Sequence, residues 1–246
     1  MDEKKKVLIT GAAGRIGSRL WARFKDRYDL RLMFHNKIPE TAEGEDTIIA
    51  DICNLDQMLK ACESIDAVIH MALTRRENEA ESMMANIRGT YNVFEAARQC
   101  GVQTVVYGST NHVMGMYERD KCLDIKPEWP VRPDGLYGAG KAAGEALGRY
   151  YSDNYGMSVF CIRIGSAIDS EVPTGRGARI LSTWFSYKDM AQMIGLCIDS
   201  TDIKFGTFFG ISGNTRRFWN ISNAQEVLGY APEDDAEEYA KDILGT

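Results

Sequence analysis

The chain has 246 residues, a formal net charge of −6, and 44% hydrophobic against 26% charged residues. This composition is typical of a soluble globular protein, and the length suits one domain or one domain with a small lobe. The acidic balance argues against general nucleic-acid binding, and no apolar run approaches the length of a membrane span. Because the first residues lead directly into an apolar strand without a signal peptide, we expect a cytoplasmic protein with no membrane partner.

Strand-like and helix-like segments alternate along the first two thirds of the chain. The apolar runs that predict strands lie at residues 7–9, 30–34, 47–50, 67–70, 104–107 and 159–163. Helical spacing of apolar residues is clearest at 82–100 and 137–155, and it returns at about 187–198. Such alternation predicts an α/β fold, a Rossmann-type doubly wound parallel sheet, because parallel strands need helical crossovers.

The pattern then changes. Residues 165–177 are rich in glycine, proline and polar side chains, which predicts a loop over the cleft. A late strand follows at about 207–211, and the tail from about residue 224 is helical and acidic. We therefore predict a single-domain chain in which residues 1–164 form a dinucleotide-binding core and residues 165–246 form a small C-terminal substrate-binding lobe.

A glycine-rich turn follows the first predicted strand at once. The turn reads Gly-Ala-Ala-Gly-Arg-Ile-Gly at residues 11–17, and Ile16, Leu20 and Phe24 then recur at helical spacing. A strand, a glycine turn and a helix N-terminus form a phosphate cradle, because free backbone N–H groups and the positive helix end face one point. This context predicts dinucleotide binding. The predicted contacts in the turn are Gly11, Gly14, Arg15, Ile16 and Gly17.

Tyr137 and Lys141 lie one helical turn apart in a segment with clear helical spacing. A tyrosine hydroxyl has a pKa of about 10, which is too high for a base at neutral pH. Side chains at positions i and i+4 project from one face, so the lysine ammonium favours the phenolate and draws the tyrosine pKa toward working pH. Together with a bound dinucleotide, this pair predicts hydride transfer to or from a carbon that bears a hydroxyl.

The segment after the second predicted strand bears on the choice of cofactor. In dinucleotide folds an acidic residue at the end of this strand binds the ribose hydroxyls, but Phe34 stands here. His35, Asn36 and Lys37 follow and are predicted cofactor contacts. Without the acid a 2′-phosphate is not repelled, so we expect that NADP is tolerated or preferred beside NAD. The alternative is that Lys37 is a solvated loop charge.

Two further segments are expected to border the cofactor. Asp51, directly after the third strand, is placed to accept a hydrogen bond from the adenine amino group. Met71, Ala72 and Leu73 follow the fourth strand, where the backbone passes beneath the cofactor. His70, which ends that strand, is interpreted as structural.

Several short motifs complete a resemblance to a known family. The motifs are Asn-Ile-Arg-Gly-Thr at 86–90, Ser-Thr-Asn-His at 109–112, Arg-Pro-Asp-Gly-Leu-Tyr-Gly at 132–138, Arg-Ile-Gly-Ser at 163–166, Arg-Ile-Leu-Ser-Thr-Trp-Phe at 179–185, and a late Leu-Gly-Tyr followed by Pro232. With the glycine turn and the tyrosine–lysine pair, they make the chain resemble an extended short-chain dehydrogenase/reductase, and most closely the uronate dehydrogenases. The resemblance implies NAD(P)-dependent oxidation of the anomeric hydroxyl of glucuronate or galacturonate to an aldarolactone.

The resemblance also implies roles for individual residues. Thr110 takes the position of the catalytic serine and holds the substrate oxygen while Tyr137 takes the proton. Lys141 also hydrogen-bonds the nicotinamide ribose. Further predicted cofactor contacts are Ile52, Asn86 and Ile164. Further predicted substrate contacts are Thr74, Asn111, His112, Ser166 and Arg179.

The predicted substrate class depends on Arg179. A guanidinium matches a carboxylate with two parallel hydrogen bonds, and Arg179 takes the position of the family's carboxylate-binding arginine. The alternative is that Arg179 is an ordinary surface arginine without a role in substrate binding. The chain departs from the family in two places: Phe34 replaces an NAD-selecting aspartate, and residues 71–76 carry more charge. Cofactor choice and sugar identity therefore stay open.

Three other functions are compatible with the sequence. The cluster Arg75, Arg76, Arg176 and Arg179 is able to surround a phosphate or sulfonate, which would make the protein a dehydrogenase of a sugar phosphate or sulfosugar. A nucleotide-sugar epimerase or dehydratase is the second, although the short chain leaves little room for a large substrate lobe. A non-catalytic NAD(P)-binding redox sensor is the third, but it has no need for the catalytic trio.

Assembly and cysteine chemistry supply two smaller expectations. The family commonly self-associates through paired helices, so we expect a homo-oligomer in which 82–100 and 137–155 take part. The six cysteines include no close pair of the Cys-x-x-Cys type, and most lie in apolar stretches. We therefore expect buried, reduced thiols and no metal site.

Overall fold

The computed structural model describes residues 4–174 and 177–245. In this part of the chain, seven strands form one parallel sheet in the order β3-β2-β1-β4-β5-β6-β7. The strands are β1 (Lys6–Thr10), β2 (Asp29–Phe34), β3 (Asp46–Ile49), β4 (Ala67–His70), β5 (Thr104–Thr110), β6 (Ser158–Ile164) and β7 (Phe205–Gly210). The predicted Rossmann-type doubly wound sheet is confirmed.

Helices cover both faces of the sheet. The helices are α1 (Arg15–Phe24), α2 (Leu55–Cys62), α3 (Glu79–Gln99), α4 (Gly115–Arg119), α5 (Leu136–Tyr155), α6 (Ile180–Thr183), α7 (Tyr187–Asp199), α8 (Ser222–Leu228) and α9 (Ala240–Leu244). Short 3₁₀ helices lie at Glu40–Ala42, Asn111–Met114 and Ala236–Tyr239. Within the described residues, no helix has both the length and the apolar character needed to cross a membrane.

The strands are buried on both faces because successive side chains point to opposite sides of the sheet. Val7 and Ile9 of β1 belong to one hydrophobic cluster, which includes residues of α1 and α7, whereas Leu8 belongs to the other, which includes residues of α2, α3 and α5. All three side chains are fully buried. Burial of each such side chain stabilises the fold by about 1.5–3 kcal/mol, which explains why β1 is a continuous apolar run.

The strand order places a crevice beside the end of β1. This strand pairs with β2 on one side and with β4 on the other. The helix after β1 and the helix after β4 pack on opposite faces of the sheet, so a crevice opens between them at the carboxyl edge. Gly11 has a φ of +71°, and a Cβ built on it would lie 2.9 Å from the Ala72 Cα. Only glycine therefore allows the first turn to pass so close to the chain after β4.

The segment after residue 164 contributes both to the sheet and to a cluster of its own. Strand β7 pairs with β6, and α7 supplies residues to the same hydrophobic cluster as α1. A separate small cluster contains Ile168, Ile180, Leu181, Trp184, Ala236 and Ala240. The described residues after 164 thus complete the sheet and its core, and the division into a dinucleotide-binding core and a small substrate-binding lobe stays a prediction.

Candidate active site

An open cleft of about 920 Å³ runs along the carboxyl edge of the sheet. Its lining combines most of the residues predicted to bind cofactor or substrate. The predicted residues in the lining are Gly11, Gly14, Arg15, Ile16, Gly17, His35, Asp51, Ile52, Met71, Ala72, Leu73, Thr74, Thr110, His112, Tyr137, Lys141 and Ile164. Residues at the ends of β1 through β6 therefore meet in one place, as a doubly wound sheet requires.

Some predicted cofactor contacts lie outside this lining. Asn36 and Lys37 are exposed and do not line the cleft, because the chain leaves the sheet after Phe34. Asn86 lines a smaller neighbouring pocket and holds the loop after β4 in place. Its Oδ1 accepts a hydrogen bond from the Thr74 backbone N–H at 2.7 Å, and its Nδ2 donates to the Thr74 carbonyl at 2.8 Å. Asn86 thereby fixes a wall of the cleft.

Two predicted substrate contacts line a cavity that continues the cleft. Ser166 and Arg179 border this cavity, whose volume is about 450 Å³. The two spaces share Arg15, Gly165 and Ala167 in their linings. A sugar bound near the end of β5 would therefore have a path toward Arg179.

Thr110, Tyr137 and Lys141 converge at the end of β5. Thr110 is the last residue of that strand, and Tyr137 and Lys141 lie in the first turns of α5. The Lys141 Nζ donates a hydrogen bond to the Gly108 carbonyl at 2.6 Å. The same ammonium lies 4.7 Å from the centroid of the Tyr107 ring, a cation–π contact. Two contacts from β5 therefore hold the lysine in the wall of the cleft.

A glycine brings the start of α5 against the turn that follows β5. A Cβ built on Gly138 would lie 2.4 Å from the His112 carbonyl oxygen, so a larger residue would push the helix away. The close approach places the Tyr137 and His112 rings with their centroids 6.3 Å apart. Gly138 therefore positions the predicted base beside the residues that follow Thr110.

The electrostatics of the trio differ from the sequence-based expectation. Burial lowers the pKa of Lys141 to about 8, and Glu145 opposes that shift. Tyr137 is 41% exposed, so desolvation of its hydroxyl is partial; this desolvation raises the pKa of Tyr137 above its ordinary value, while a hydrogen bond with Thr110 lowers it. The expected lowering of the tyrosine pKa by Lys141 is not seen, because the ammonium is directed to the Gly108 carbonyl and desolvation prevails.

A buried ion pair supports the wall behind Lys141. The Arg163 guanidinium binds both carboxylate oxygens of Glu145 at 2.9 and 2.8 Å, and the Ser109 hydroxyl donates to Glu145 Oε1 at 2.6 Å. Both charged side chains are less than a tenth exposed. Sequence reasoning missed this pair because the two residues come from different elements and no local pattern joins them.

Two more side chains at the end of β5 have an arrangement that suits a polar ligand. The His112 Nδ1 lies 3.0 Å from Asp134 Oδ2 and 3.1 Å from Oδ1. Asn111 is buried, and its Nδ2 has no hydrogen-bond partner within the described residues. A buried amide without a partner is unusual, and it lies directly next to Thr110.

Arginines of α1 hold the loop after β6. The Arg15 Nε donates to Asp169 Oδ1 at 2.7 Å, and Arg19 Nη2 donates to the Asp169 carbonyl at 3.0 Å. Arg23 Nη2 donates to Glu171 Oε2 at 2.7 Å. Because these arginines recur every four residues, they lie on one face of the helix. The predicted loop thus borders the cleft, and Asp169 joins its lining.

Other residues predicted to be structural are packed away from the cleft. His70 is buried, its Nδ1 lies 2.9 Å from the Thr10 hydroxyl, and burial lowers its pKa to about 3. All six cysteines, which lie within the described residues, are free thiols, but the expected burial holds for Cys62, Cys161 and Cys197 and is wrong for the three partly exposed ones, Cys53, Cys100 and Cys122. Trp184, Phe185 and Trp219 are buried packing residues.

The glycine cradle, the cleft and the group at its edge define a dinucleotide-dependent oxidoreductase of the short-chain dehydrogenase/reductase type. A model of the NAD-dependent epimerase/dehydratase family matches residues 7–192, and the chain belongs to that family.

The chain is also similar to individual proteins of known name. It is 36% identical to the NAD-dependent glucose-6-phosphate dehydrogenase of Haloferax volcanii, with 95% of each chain covered. It is 34% identical to the uronate dehydrogenase of Pseudomonas putida, over 95% of this chain and 86% of that protein. A mutant uronate dehydrogenase from Agrobacterium tumefaciens, complexed with NAD, superposes with a TM-score of 0.86 at 30% identity, over 98% of this chain and 89% of that one. The predicted resemblance and the enzyme class, an oxidoreductase acting on CH–OH groups, are confirmed.

Proposed function

We propose that the protein oxidises the anomeric hydroxyl of a uronate such as glucuronate or galacturonate to an aldarolactone, with NAD as the cofactor. The observation that carries this proposal is the convergence of Thr110, Tyr137 and Lys141 at the edge of the dinucleotide cleft. Similarity to uronate dehydrogenases over nearly the whole chain supports the substrate class.

The three side chains have different roles in the removal of one proton from the substrate. The Thr110 hydroxyl holds the anomeric oxygen, and the Tyr137 hydroxyl, as phenolate, accepts the proton from it. Lys141 supplies positive charge close to the developing phenolate. In this structure the ammonium donates to the Gly108 carbonyl, and its role toward the phenolate is part of the proposal.

The glycine turn fits a dinucleotide diphosphate. Gly14 caps α1 without a side-chain hydrogen bond, and no acidic residue lies in the first turn of that helix. A Cβ built on Gly17 would lie 2.2 Å from the Gly11 carbonyl oxygen, so the tight turn depends on glycine. The first turn of the helix therefore carries no acidic side chain of its own, which leaves its backbone N–H groups suited to phosphate oxygens. A bound NAD would supply the acceptor for the hydride that leaves the anomeric carbon.

Tolerance of NADP is part of the proposal. Phe34 is buried at the end of β2, so no carboxylate stands there to repel a 2′-phosphate. His35 lines the cleft at this point, with Asp51 Oδ2 at 3.8 Å from its Nε2. Lys37, two residues further along the chain, is an exposed cation that does not border the cleft.

The sugar carboxylate is expected to bind toward Arg179. Ser166 lines the same cavity, and its hydroxyl lies 3.5 Å from Arg179 Nη1. The Asn111 Nδ2 is buried and does not line the cleft, but it lacks a hydrogen-bond partner within the described residues, so Asn111 is kept in the proposal as a substrate contact. Residues 165–246 would then form the substrate-binding lobe.

A spectrophotometric screen tests the proposed reaction. Reduction of NAD and of NADP is followed at 340 nm with D-glucuronate, D-galacturonate, the matching neutral hexoses and hexose 6-phosphates. Uronate-dependent reduction of NAD is expected. Turnover of neutral hexoses with no response to uronates would contradict the proposed substrate.

A second candidate is oxidation of a hexose phosphate. Arg75 and Arg76 line the cleft, and no acidic side chain in the described ranges forms an ion pair with either guanidinium. The 36% identity to a glucose-6-phosphate dehydrogenase favours this reaction. Arg176, the other predicted member of the cluster, lies outside the described residues. The hexose 6-phosphate arm of the screen decides between the two candidates.

Self-association is also proposed. Exposed aromatic side chains lie on the two helices expected to pair, with Tyr91 on α3 and Tyr150 and Tyr155 on α5. Pairing of these helices would bury apolar area that a monomer leaves in water. Light scattering coupled to size-exclusion chromatography tests this, and a monomeric mass at micromolar concentration would contradict it.

A further inference from the structure

The guanidinium of Arg179 is bound by a carboxylate of the protein itself. Its Nε donates to Glu118 Oε1 at 2.5 Å, and its Nη2 donates to Glu118 Oε2 at 2.7 Å. Both oxygens of Glu118 are therefore engaged in the two parallel hydrogen bonds that a substrate carboxylate would need. The remaining nitrogen, Nη1, lies 3.5 Å from the Ser166 hydroxyl.

The two partners come from distant parts of the chain, and Arg179 is the one that lines the cavity. Glu118 lies on α4, which begins five residues after Thr110 at the end of β5. Arg179 lies directly before α6 in the lobe, where its carbonyl accepts a hydrogen bond from the Thr183 hydroxyl at 3.0 Å. The pair therefore joins the strand end that carries the catalytic residues to the lobe that borders the cleft.

The exposure of the pair makes it displaceable. The side chains of Arg179 and Glu118 are 42% and 25% exposed, so solvent screens their attraction. The buried pair of Arg163 and Glu145 behind the cleft differs in this respect, because it is closed to solvent. A carboxylate that enters from the cavity is therefore able to replace Glu118 on the same nitrogens.

We propose that Glu118 is a specificity-determining residue that competes with the anionic group of the sugar for Arg179. The inference rests on the proposed function, because it takes Arg179 as the carboxylate-binding group. With Glu118 in place, a uronate binds by displacing it, whereas a neutral hexose has no such competitor. Glu118 thus weakens the binding of sugar acids. It thereby reduces the preference of the site for sugar acids over neutral sugars.

The test measures binding without turnover. The dissociation constants of D-glucuronate and D-glucose are determined by calorimetry on the protein saturated with NADH, for the wild type and for Glu118→Gln. The two sugars differ only in the group at C6, so D-glucose isolates the effect of the carboxylate. We expect Glu118→Gln to bind D-glucuronate about fivefold more tightly, the upper range for loss of one exposed ion pair, with D-glucose unchanged.

Glu237→Gln is the matched control. Glu237 holds Arg216 with the same side-on geometry, at 2.6 and 2.7 Å, and at a similar exposure, but neither residue lines the cleft. This variant removes the same charge and should leave both dissociation constants unchanged. An equal gain in D-glucuronate binding in both variants would show a general charge effect and overturn the proposal.

Three other results would also overturn the proposal. Weaker D-glucuronate binding in Glu118→Gln would show that Glu118 positions Arg179 for the substrate. Unchanged binding would show that the ion pair is not displaced, and absence of D-glucuronate binding in both proteins would remove Arg179 as the anion-binding group. Tighter binding in Glu118→Gln without turnover of any uronate would instead support the inference and contradict the proposed reaction.

Discussion

His112 and Asp134 form a hydrogen bond that fixes the imidazole at the edge of the cleft. The Nδ1 of His112 lies 3.0 Å from Asp134 Oδ2, and because a carboxylate accepts, Nδ1 carries the proton and donates it. The other ring nitrogen, Nε2, is then able to accept a hydrogen bond, which is the role we propose for it toward a sugar hydroxyl. The aspartate therefore determines which tautomer His112 presents.

Asp134→Asn should weaken substrate binding through this relationship. The amide is able to donate to Nδ1 and so to favour the other tautomer, which turns the substrate-facing nitrogen into a donor. We expect kcat/KM for the sugar to fall about tenfold or more, mostly through KM. Asp120→Asn is the control, because Asp120 forms an exposed ion pair with Arg132 at 2.9 Å in the same region. Equal kinetics in both variants would contradict a positioning role for Asp134.

Arg179→Ala should impair uronate turnover more than neutral hexose turnover. Loss of a charge-assisted bidentate contact lowers kcat/KM for D-glucuronate by about 10–100-fold, whereas D-glucose lacks the carboxylate that makes this contact. The double variant Arg179→Ala/Glu118→Ala separates the lost attraction from repulsion by an unpaired Glu118. Equal losses for the two sugars would show that Arg179 does not recognise the carboxylate.

The cofactor site predicts a mild discrimination between NAD and NADP. We expect kcat/KM for the two cofactors to differ by less than about 100-fold, because no acid follows β2. His35→Asp places a carboxylate in the cleft lining and should lower kcat/KM for NADP by at least about tenfold while retaining NAD. Lys37→Ala is the control and should change little if Lys37 is a solvated charge. A wild-type kcat/KM for NAD more than about 100-fold above that for NADP would contradict the proposed tolerance of NADP.

Glu145→Ala should destabilise the fold strongly. It leaves the buried Arg163 guanidinium without its carboxylate, and removal of one partner from a buried pair costs about 3–5 kcal/mol. Urea denaturation measures the change in the free energy of unfolding. Asp153→Ala removes an exposed partner of Arg149 on the same helix and should cost less than about 0.5 kcal/mol. Similar decreases in the free energy of unfolding in the two variants would contradict the claim that the buried ion pair contributes more to stability than the exposed one.

Local patterns predicted much of the fold and most of the residues that line the cleft. The apolar run before the glycine turn corresponds to β1, and the predicted helices at 82–100 and 137–155 correspond to Glu79–Gln99 and Leu136–Tyr155. The boundaries shift by up to three residues because caps such as Asn78, which accepts from the Glu81 N–H, lie outside the apolar repeat. The tail, predicted to be helical from about residue 224, contains α8 and α9, and α8 ends at its C-cap, Gly229, which adopts a φ of +71°.

Contacts between distant segments were not predictable in the same way. Glu118 binds a residue 61 positions further along the chain, and no periodicity or motif in the sequence joins the two. Asp134 lay within the Arg-Pro-Asp-Gly motif, so a signal for it existed, but its partner His112 depends on the turn after β5. The direction of the Lys141 ammonium also depends on the packing of α5 against β5, which spacing along one helix does not specify.

Tyr137→Phe tests the central claim, that the phenol takes the proton from the sugar hydroxyl. The change removes one oxygen and keeps the ring. Single-turnover kinetics with saturating NAD and D-glucuronate give the chemical rate, and fluorescence titration gives the dissociation constant of NADH. The account predicts a rate reduced by about 10²–10⁴-fold with NADH binding unchanged. A rate close to that of the wild type would show that another group removes the proton.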